Sequence, residues 1–201
     1  MSSVLEEHLG YVADAIRLEQ FRSAVAQMVQ PGDRVADVGC GSAVLGLMCL
    51  QAGAGHVDAI DSTVAIEIAR QSLTQAGWGD KASFIHGKSF QVELPEAADI
   101  VMCDHVGYFG FDYGVIDLLA DARKRFLKPG GTLIPSRVRL NVAAVGSQKC
   151  HELVNGWRAE AIPEAFHWLR SHAVNAKHAV SLEPDDVLGS PAALTEIDLR
   201  T

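Results

Sequence analysis

Four residues near the start of the chain have the types and the spacing of a ligand-binding loop. The segment VADVGCGSAVLG places Asp37 two residues before Gly39 and Gly41 two residues after it. Glycines let the backbone turn tightly and approach a ligand with no Cβ in the way. Asp61 follows Gly41 by 20 residues, where an acid at the next strand end accepts hydrogen bonds from ribose hydroxyls. The spacing therefore predicts a site for a ligand that contains a nucleoside.

The neighbours of the glycines distinguish between two kinds of ligand. Val44 occupies the position of the third glycine of the dinucleotide fingerprint, so the loop offers no close passage for a pyrophosphate. Asp37 repels phosphate and suits a cationic ligand with an amino group. S-adenosyl-L-methionine has a sulfonium, an ammonium and a ribose, and it has no phosphate. The pattern D-x-G-x-G, followed by an acid at the next strand end, resembles the loop of class I methyltransferases and disfavours an NAD-type dehydrogenase.

A second stretch, MCDHVGYFGFDYG at 102–114, offers acidic, basic and aromatic side chains. Asp104 either caps backbone amides at a strand end or orients a nucleophile. His105 is either a packed or solvated loop residue or a general base. An ordinary imidazole pKa of about 6.5 suits an amine, a hydroxyl or a ring nitrogen. Tyr108 and Tyr113 either line a pocket for an aromatic or cationic acceptor or simply pack.

Short apolar strands that alternate with helices must position these groups. The predicted strands are 34–39, 56–61, 82–87, 98–104 and 131–135, and the predicted helices are 11–29, 43–53, 63–77 and 114–127. This alternation predicts an α/β fold with parallel βαβ units, hence a doubly wound sheet with helices on both faces. After Pro135 the pattern changes, and strands at 137–145 and 192–201 predict a small C-terminal β appendage.

Two finer expectations concern the helices. Helix 11–29 is expected to place five apolar residues near one face, and Ser62 or Thr63 is expected to cap helix 63–77. The five residues of that face are Val12, Ile16, Phe21, Val25 and Val29.

The sequence also resembles the protein arginine methyltransferase family from about residue 8 to the end. HLGYVADAIRLEQFR resembles the family's H-x-x-M-L-x-D-x-x-R-x-x-x-Y-R, and VGY at 106–108 resembles its M-G-Y. In the loop, Ser42 stands in the place of a threonine and Ala43 in the place of a further glycine. The resemblance implies a Rossmann-like fold with S-adenosyl-L-methionine as the cofactor. It also implies that Arg17 holds the methionine carboxylate of that cofactor, as a guanidinium fork suits a carboxylate.

The resemblance and the loop pattern together define two sets of candidate residues. Asp37 either contacts the cofactor or positions the loop. The candidate cofactor-binding residues are Arg17, Asp37, Gly39, Cys40, Gly41, Asp61, Ser62, Lys88, Ser89 and Asp104. The candidate catalytic residues are Asp104, His105 and Tyr113.

The acceptor side departs from the family pattern, in which two glutamates clamp the substrate guanidinium. Asp104 takes the first position and Tyr113 the second, with Asp112 adjacent, while Phe90 stands where the family has an adenine-contacting glutamate. Three functions remain open. The first is methyl transfer to a nitrogen or oxygen nucleophile of a small molecule or a protein. The second is arginine methylation with an altered acidic clamp, and the third is an inactive cofactor-binding subunit.

The chain is expected to divide into three parts. These are an N-terminal helical segment that covers the cofactor site (1–32), a Rossmann-like core (33–135) and a partial β-barrel-like appendage (136–201). The resemblance implies dimerisation through an arm that projects from the barrel, and residues 151–180 are the candidate remnant of that arm in a possible homodimer.

Charge and composition disfavour several classes of partner. The formal net charge of −8 disfavours binding to nucleic acid or to an anionic membrane surface. The four cysteines have no C-x-x-C spacing and the histidines no metal-ligand spacing, which predicts a reducing compartment and no metal site. No secretory signal and no apolar run of roughly 18 residues is present. A cytoplasmic location is therefore expected. The cysteines are Cys40, Cys49, Cys103 and Cys150.

Overall fold

A parallel five-stranded sheet forms the centre of the larger part of the molecule. The computed structural model describes residues 2–107 and 112–201, so the predicted role of Tyr108 lies outside the described residues. The strand order is β3-β2-β1-β4-β5, and all neighbouring strands are parallel. The strands are β1 (Arg34–Val38), β2 (His56–Asp61), β3 (Ala82–His86), β4 (Ala98–Met102) and β5 (Leu127–Ile134).

Helices cover both faces of this sheet, which confirms the predicted α/β fold. One core lies between the sheet and the helices that precede β3, and it includes Val25, Leu50 and Leu73. The other core lies against the helix before β5 and includes Leu119 and Phe126. The helices are α1 (Ser2–Ala13), α2 (Ala15–Met28), α3 (Val44–Gln51), α4 (Ala65–Gln75) and α5 (Val115–Phe126).

The prediction of a single helix over 11–29 is wrong, because two helices meet at Asp14. The Asp14 carboxylate accepts a hydrogen bond from the backbone N–H of Arg17 at 2.9 Å and so starts α2. Val12 and Ile16 are exposed, at 45% and 81%, while Phe21 packs against the first core. The predicted apolar face therefore holds only from Phe21 to Val29.

Two other local expectations need correction. Helix α4 has Val64 at its N-cap, although the Thr63 hydroxyl accepts from the backbone N–H of Ala65 at 3.2 Å. Strand β5 begins before its predicted start at residue 131. Its register against β4 is irregular between Ala98 and Ile100, where the glycine-containing segment after Leu127 is accommodated.

A second compact unit follows the sheet. Unit 1 comprises Met1–Val138 and Ile197–Thr201, and unit 2 comprises Arg139–Glu196. Strands β6 (Arg137–Val145) and β7 (Val187–Asp198) form a two-stranded sheet, which confirms the small β appendage, and β7 starts earlier than predicted. Helices α6 (Gln148–Asn155) and α7 (Leu169–Val174) lie between these strands in sequence. The three-part division of the chain stays a prediction. Within the described residues, no helix is both long and apolar enough to cross a membrane.

Candidate active site

The loop between β1 and α3 has a backbone that requires its glycines. Gly39 and Gly41 have φ values of +72° and +54°, in the region that side chains disfavour. Ala43 also has a positive φ, +58°, at the N-cap of α3, and its methyl group is fully buried. The residue that stands in the place of a family glycine thus keeps a glycine-like backbone conformation.

Asp61 ties this loop to the end of β2. Its Oδ2 accepts a hydrogen bond from the backbone N–H of Gly41 at 2.9 Å. Its Oδ1 accepts from the backbone N–H of Thr63 at 2.8 Å and from the Thr63 hydroxyl at 2.7 Å. The carboxylate therefore fixes the position of the glycine loop, and its remaining lone pairs are the ones that could accept from a ribose.

Asp37 lies beneath the same loop and is 2% exposed. Its Oδ2 accepts a hydrogen bond from the backbone N–H of Gly46, in the first turn of α3, at 3.0 Å. Burial raises the pKa of the Asp37 carboxyl to about 7, although the bond from Gly46 and the charge of Arg17 oppose this rise. The contact with Gly46 supports the loop-positioning alternative for Asp37.

The other candidate cofactor residues flank this loop or follow β2 and β3. Cys40 is buried between the two glycines, and burial raises the pKa of its thiol above the ordinary range. Ser62 is exposed directly after β2. Asp61 and His86 are register partners, so Lys88 and Ser89 emerge beside Ser62 at the same edge of the sheet.

Arg17 extends from α2 towards the end of β4. Its guanidinium forms an ion pair with the carboxylate of Asp104 and donates to the backbone carbonyl of Tyr11 at 2.8 Å. The rings of Tyr11 and Phe21 lie 5.5 and 5.6 Å from the guanidinium carbon. Burial lowers the pKa of Arg17, and the charges of Asp14, Tyr11 and Asp37 act in the opposite direction.

Two histidines lie against the glycines of the loop. A Cβ built on Gly41 would lie 2.8 Å from Cε1 of His8, and one built on Gly39 would lie 3.8 Å from Nδ1 of His105. His8 begins the family-like motif HLGYVADAIRLEQFR but is not among the predicted site residues. Its location within that motif was the signal available in the sequence.

The acceptor-side candidates form a second group of contacts. The rings of His105 and Tyr113 meet edge to face, with centroids 5.3 Å apart. Tyr113 is 66% exposed and has a φ of +58°, which is uncommon for an aromatic residue. Asp112 packs over Gly107, because a Cβ built on that glycine would lie 2.5 Å from Cβ of Asp112. Asp112 and Tyr113 thus stand side by side after the undescribed part of this loop.

The sequence-predicted residues therefore assemble at the carboxyl ends of β1, β2, β3 and β4. This is the edge where open α/β sheets bind their ligands. Arg17 brings a carboxylate-binding fork to this edge, Asp61 brings an acceptor for hydroxyls, and Gly39 and Gly41 leave room for close approach. These groups fit the carboxylate and the ribose of S-adenosyl-L-methionine, and the loop leaves room for its sulfonium. In the described parts of the chain, no three acidic, histidine or cysteine side chains are grouped to hold a metal ion.

Comparisons with known proteins agree with this fold and this arrangement. The structure of a Trypanosoma brucei PRMT1 enzyme–prozyme complex with AdoHcy superimposes with a TM-score of 0.86 at 24% sequence identity, over 96% of this chain and 62% of that one. The molecule thus has the fold of class I methyltransferases. The family model described as ribosomal protein L11 methyltransferase (PrmA) matches residues 21–175. The chain belongs to this methyltransferase family.

Curated relatives carry a more specific name. A probable protein arginine N-methyltransferase 6 from Arabidopsis thaliana is 28% identical over 200 residues, which cover 96% of this chain and 46% of the relative. The ribosomal protein arginine N-methyltransferase rmt3 of Schizosaccharomyces pombe is 33% identical over 154 residues, 75% of this chain and 28% of the relative. The chain thus spans half the length of these relatives or less. The predicted resemblance to arginine methyltransferases is confirmed.

Proposed function

We propose that this protein transfers a methyl group from S-adenosyl-L-methionine to a nitrogen or oxygen nucleophile of an acceptor that is a small molecule or a protein. One observation carries this proposal. Arg17, which suits the cofactor carboxylate, is in direct contact with Asp104, which stands where an acceptor would be held. A cofactor-binding group and an acceptor-binding group thus meet at the end of β4, beside the glycine loop.

Each residue has a task that follows from its position. Arg17 binds the carboxylate of the cofactor, and Asp61 keeps the loop in place while its free lone pairs accept from the ribose. When bound, S-adenosyl-L-methionine supplies a methyl carbon activated by a sulfonium. Asp104 orients the nucleophile in line with this carbon, which contributes through positioning. His105, held between Gly39 and the ring of Tyr113, takes the proton that the nucleophile loses.

Cofactor binding is tested first, by calorimetric titration with S-adenosylhomocysteine. Binding is the expected result, and a failure of the wild-type protein to bind would overturn the proposal. The acceptor is then sought with radiolabelled cofactor incubated with cell extract and separated into protein, nucleic acid and small-molecule fractions. We expect label in the protein or small-molecule fraction. If no fraction becomes labelled, whether the protein is assayed alone or together with copurifying proteins, the result would contradict enzymatic activity.

We further propose that the protein forms a homodimer through unit 2. Three aromatic side chains of this unit are exposed, Trp157 at 38%, Phe166 at 51% and Trp168 at 61%. These side chains offer apolar surface that a second copy of the chain can cover. Light scattering on the purified chain should give the mass of a dimer, and Trp168→Ser should shift the mass towards the monomer. A wild-type monomer at micromolar concentration would contradict this proposal.

A cytoplasmic location is proposed as well. All four cysteines are free, and three of them are buried, as suits a reducing compartment. Fluorescence microscopy of the tagged protein tests this, and accumulation outside the cytoplasm would contradict it.

A further inference from the structure

A cavity of about 950 Å³ lies in unit 1 between α2 and the last strand of the parallel sheet. Phe21, Ala24 and Met28 of α2 form one wall, and Leu127–Ile134, the whole of β5, forms the other. We call this cavity the β5 groove. Its lining includes none of the residues of the glycine loop, and the site proposed for methyl transfer leaves it unexplained.

The groove runs along the outer edge of β5. Successive residues of a strand point to opposite faces, so a cavity that touches every residue of β5 must lie at the edge of that strand. The other edge of β5 is bonded to β4, for example at the pairs Ile100–Thr132 and Met102–Ile134. Among the described residues, no strand pairs with the outer edge, because β5 is last in the strand order. An open edge of this kind presents backbone donors and acceptors to a further extended chain.

The groove is positively charged although the chain as a whole has a net charge of −8. Its lining residues include four cations and no acid. The four cations are Arg123, Lys128, Arg137 and Arg200. These four cations, which we call the rim of the groove, favour an occupant that carries negative charge.

The local partners of these cations leave the excess in place. Lys128 pairs with Asp99 at 2.8 Å, while Asp198 pairs both with Arg200 and, at 3.8 Å, with Arg137. Arg123 donates to the backbone carbonyl of Leu199 at 2.8 Å, and a carbonyl carries no net charge to offset the guanidinium.

We propose that the β5 groove binds an extended, acidic segment of another protein chain. The backbone of this segment adds a strand to β5, and its alternate side chains separate into two sets. One set is apolar and packs against Phe21, Ala24 and Met28. The other set is acidic and faces the cations of the rim. Gly130 has no side chain, and the space around its Cα is open, so the bound backbone can approach this part of β5 closely.

The open edge favours a polypeptide over a lipid as the occupant. A lipid acyl chain would cover the apolar wall, and its headgroup would meet the cations. Only a second backbone, however, offers acceptors and donors at the spacing of those along β5. The proposal does not rest on methyl transfer, and the two can fail separately.

The test uses a fluorescein-labelled octapeptide with three Val-Glu repeats between terminal glycines, followed by fluorescence anisotropy. The matched probe has lysine in place of glutamate, and a third probe is the acidic peptide with N-methylated valines. We expect the acidic peptide to bind and to bind less tightly as salt rises. We expect the lysine and N-methylated peptides not to bind.

Two variants of equal charge change locate the binding. Met28→Glu introduces an acid into the groove at a side chain that is 42% exposed. Leu153→Glu introduces one in unit 2 at a side chain that is 39% exposed. Affinity for the acidic peptide should fall by about tenfold or more in the first variant and stay unchanged in the second. Circular dichroism and thermal unfolding report folding of both. If Met28→Glu is misfolded, Lys128→Gln replaces it and should weaken binding.

Four outcomes would overturn the proposal. They are no binding of the acidic peptide by the wild-type protein, equal binding of the lysine peptide, equal binding of the N-methylated peptide, and undiminished binding by the groove variant. Phosphatidylserine vesicles are the last probe. Binding of the vesicles without binding of the peptide would assign the groove to a membrane surface and would also overturn the proposal.

Discussion

The guanidinium of Arg17 forms an ion pair with the carboxylate of Asp104, which joins α2 to the end of β4. Both side chains are about one-fifth exposed, at 20% and 22%. A partly buried charge that loses its partner is costly, so each member of the pair constrains the other. The two halves of the proposed reaction site, one for cofactor and one for acceptor, are therefore coupled directly through a single contact.

Replacement of Asp104 should separate binding from turnover. We expect Asp104→Asn to keep the affinity for S-adenosylhomocysteine within about threefold, because Arg17 and the glycine loop remain. We expect methyl transfer to fall by about 100-fold or more, since the nucleophile loses the carboxylate that orients it. Calorimetry measures the first quantity and radiolabel transfer the second. Unchanged turnover on an identified acceptor would remove Asp104 from the mechanism.

Replacement of Arg17 should have the opposite effect on binding. Arg17→Lys keeps a positive charge and loses the fork that holds a carboxylate by two bonds. We expect the Kd for S-adenosylhomocysteine to rise about 10-fold to 100-fold. Arg22→Lys is the matched control on the same helix, because Arg22 is exposed and pairs with Glu19. Equal calorimetric affinities of the two variants would contradict a cofactor role for Arg17.

Removal of the Asp61 carboxylate should loosen the glycine loop. Asp61→Ala leaves the backbone N–H groups of Gly41 and Thr63 without their acceptor, at about 1–3 kcal/mol each. We expect binding of S-adenosylhomocysteine to weaken by about 100-fold or more, together with a lower Tm. Asp61→Asn keeps one oxygen and should give intermediate values. The exposed Asp80 provides the control, Asp80→Ala, and an equal effect there would show that Asp61 has no special role.

Asp37 should make the protein less stable as the pH rises from about 4 to about 7. Its pKa is 3.8 when unfolded and about 7 in the fold, so the folded state retains the proton over this window while the unfolded state releases it. The contribution of Asp37 to the free energy of unfolding is fully present below the unfolded-state pKa of 3.8. It is lost as the pH rises through the folded-state pKa of about 7. Burial, the largest cause of the rise, opposes the charged form.

Asp37→Asn isolates this contribution. The amide oxygen can still accept from the backbone N–H of Gly46, and no buried charge has to form. Above pH 7 we expect the variant to exceed the wild type in free energy of unfolding by roughly 1–4 kcal/mol, with the difference vanishing near pH 4. Urea unfolding of both proteins at several pH values measures this difference. The contributions of the other titrating groups cancel, because the variant and the wild type share them. A difference that does not change with pH would refute the assignment.

The sequence predicted the parts of the site that depend on local pattern. Strands β2 and β6 lie at the predicted residues, and the glycine loop carries its signal in consecutive residues. Ala43 stands in the place of a family glycine, and its positive φ agrees with that position. The ion pair between Arg17 and Asp104 was not predictable, because neither spacing nor periodicity connects residues that meet only when α2 packs near the end of β4.

The other differences also have physical causes. The apolar periodicity continues across Asp14, so only a side-chain bond to the backbone of Arg17 marks the boundary between α1 and α2. The β5 groove depends on which strand ends the sheet, and strand order is set by packing between distant segments. Hydrophobic periodicity within a short stretch of sequence predicts neither the boundary between α1 and α2 nor the strand order that leaves β5 at the edge.

Unit 1 is discontinuous, and this has a consequence for the order of events during synthesis. Leu199 is 4% exposed within the second core, its backbone N–H donates to the carbonyl of Ser136 at 3.0 Å, and its carbonyl accepts from Arg123. A ribosome releases the N-terminal parts of a chain first, and domains generally fold as units. The segment Ile197–Thr201 of unit 1 is therefore translated only after unit 2, Arg139–Glu196, has been translated in full. The contacts of Leu199 with the second core can form only after synthesis has passed Leu199.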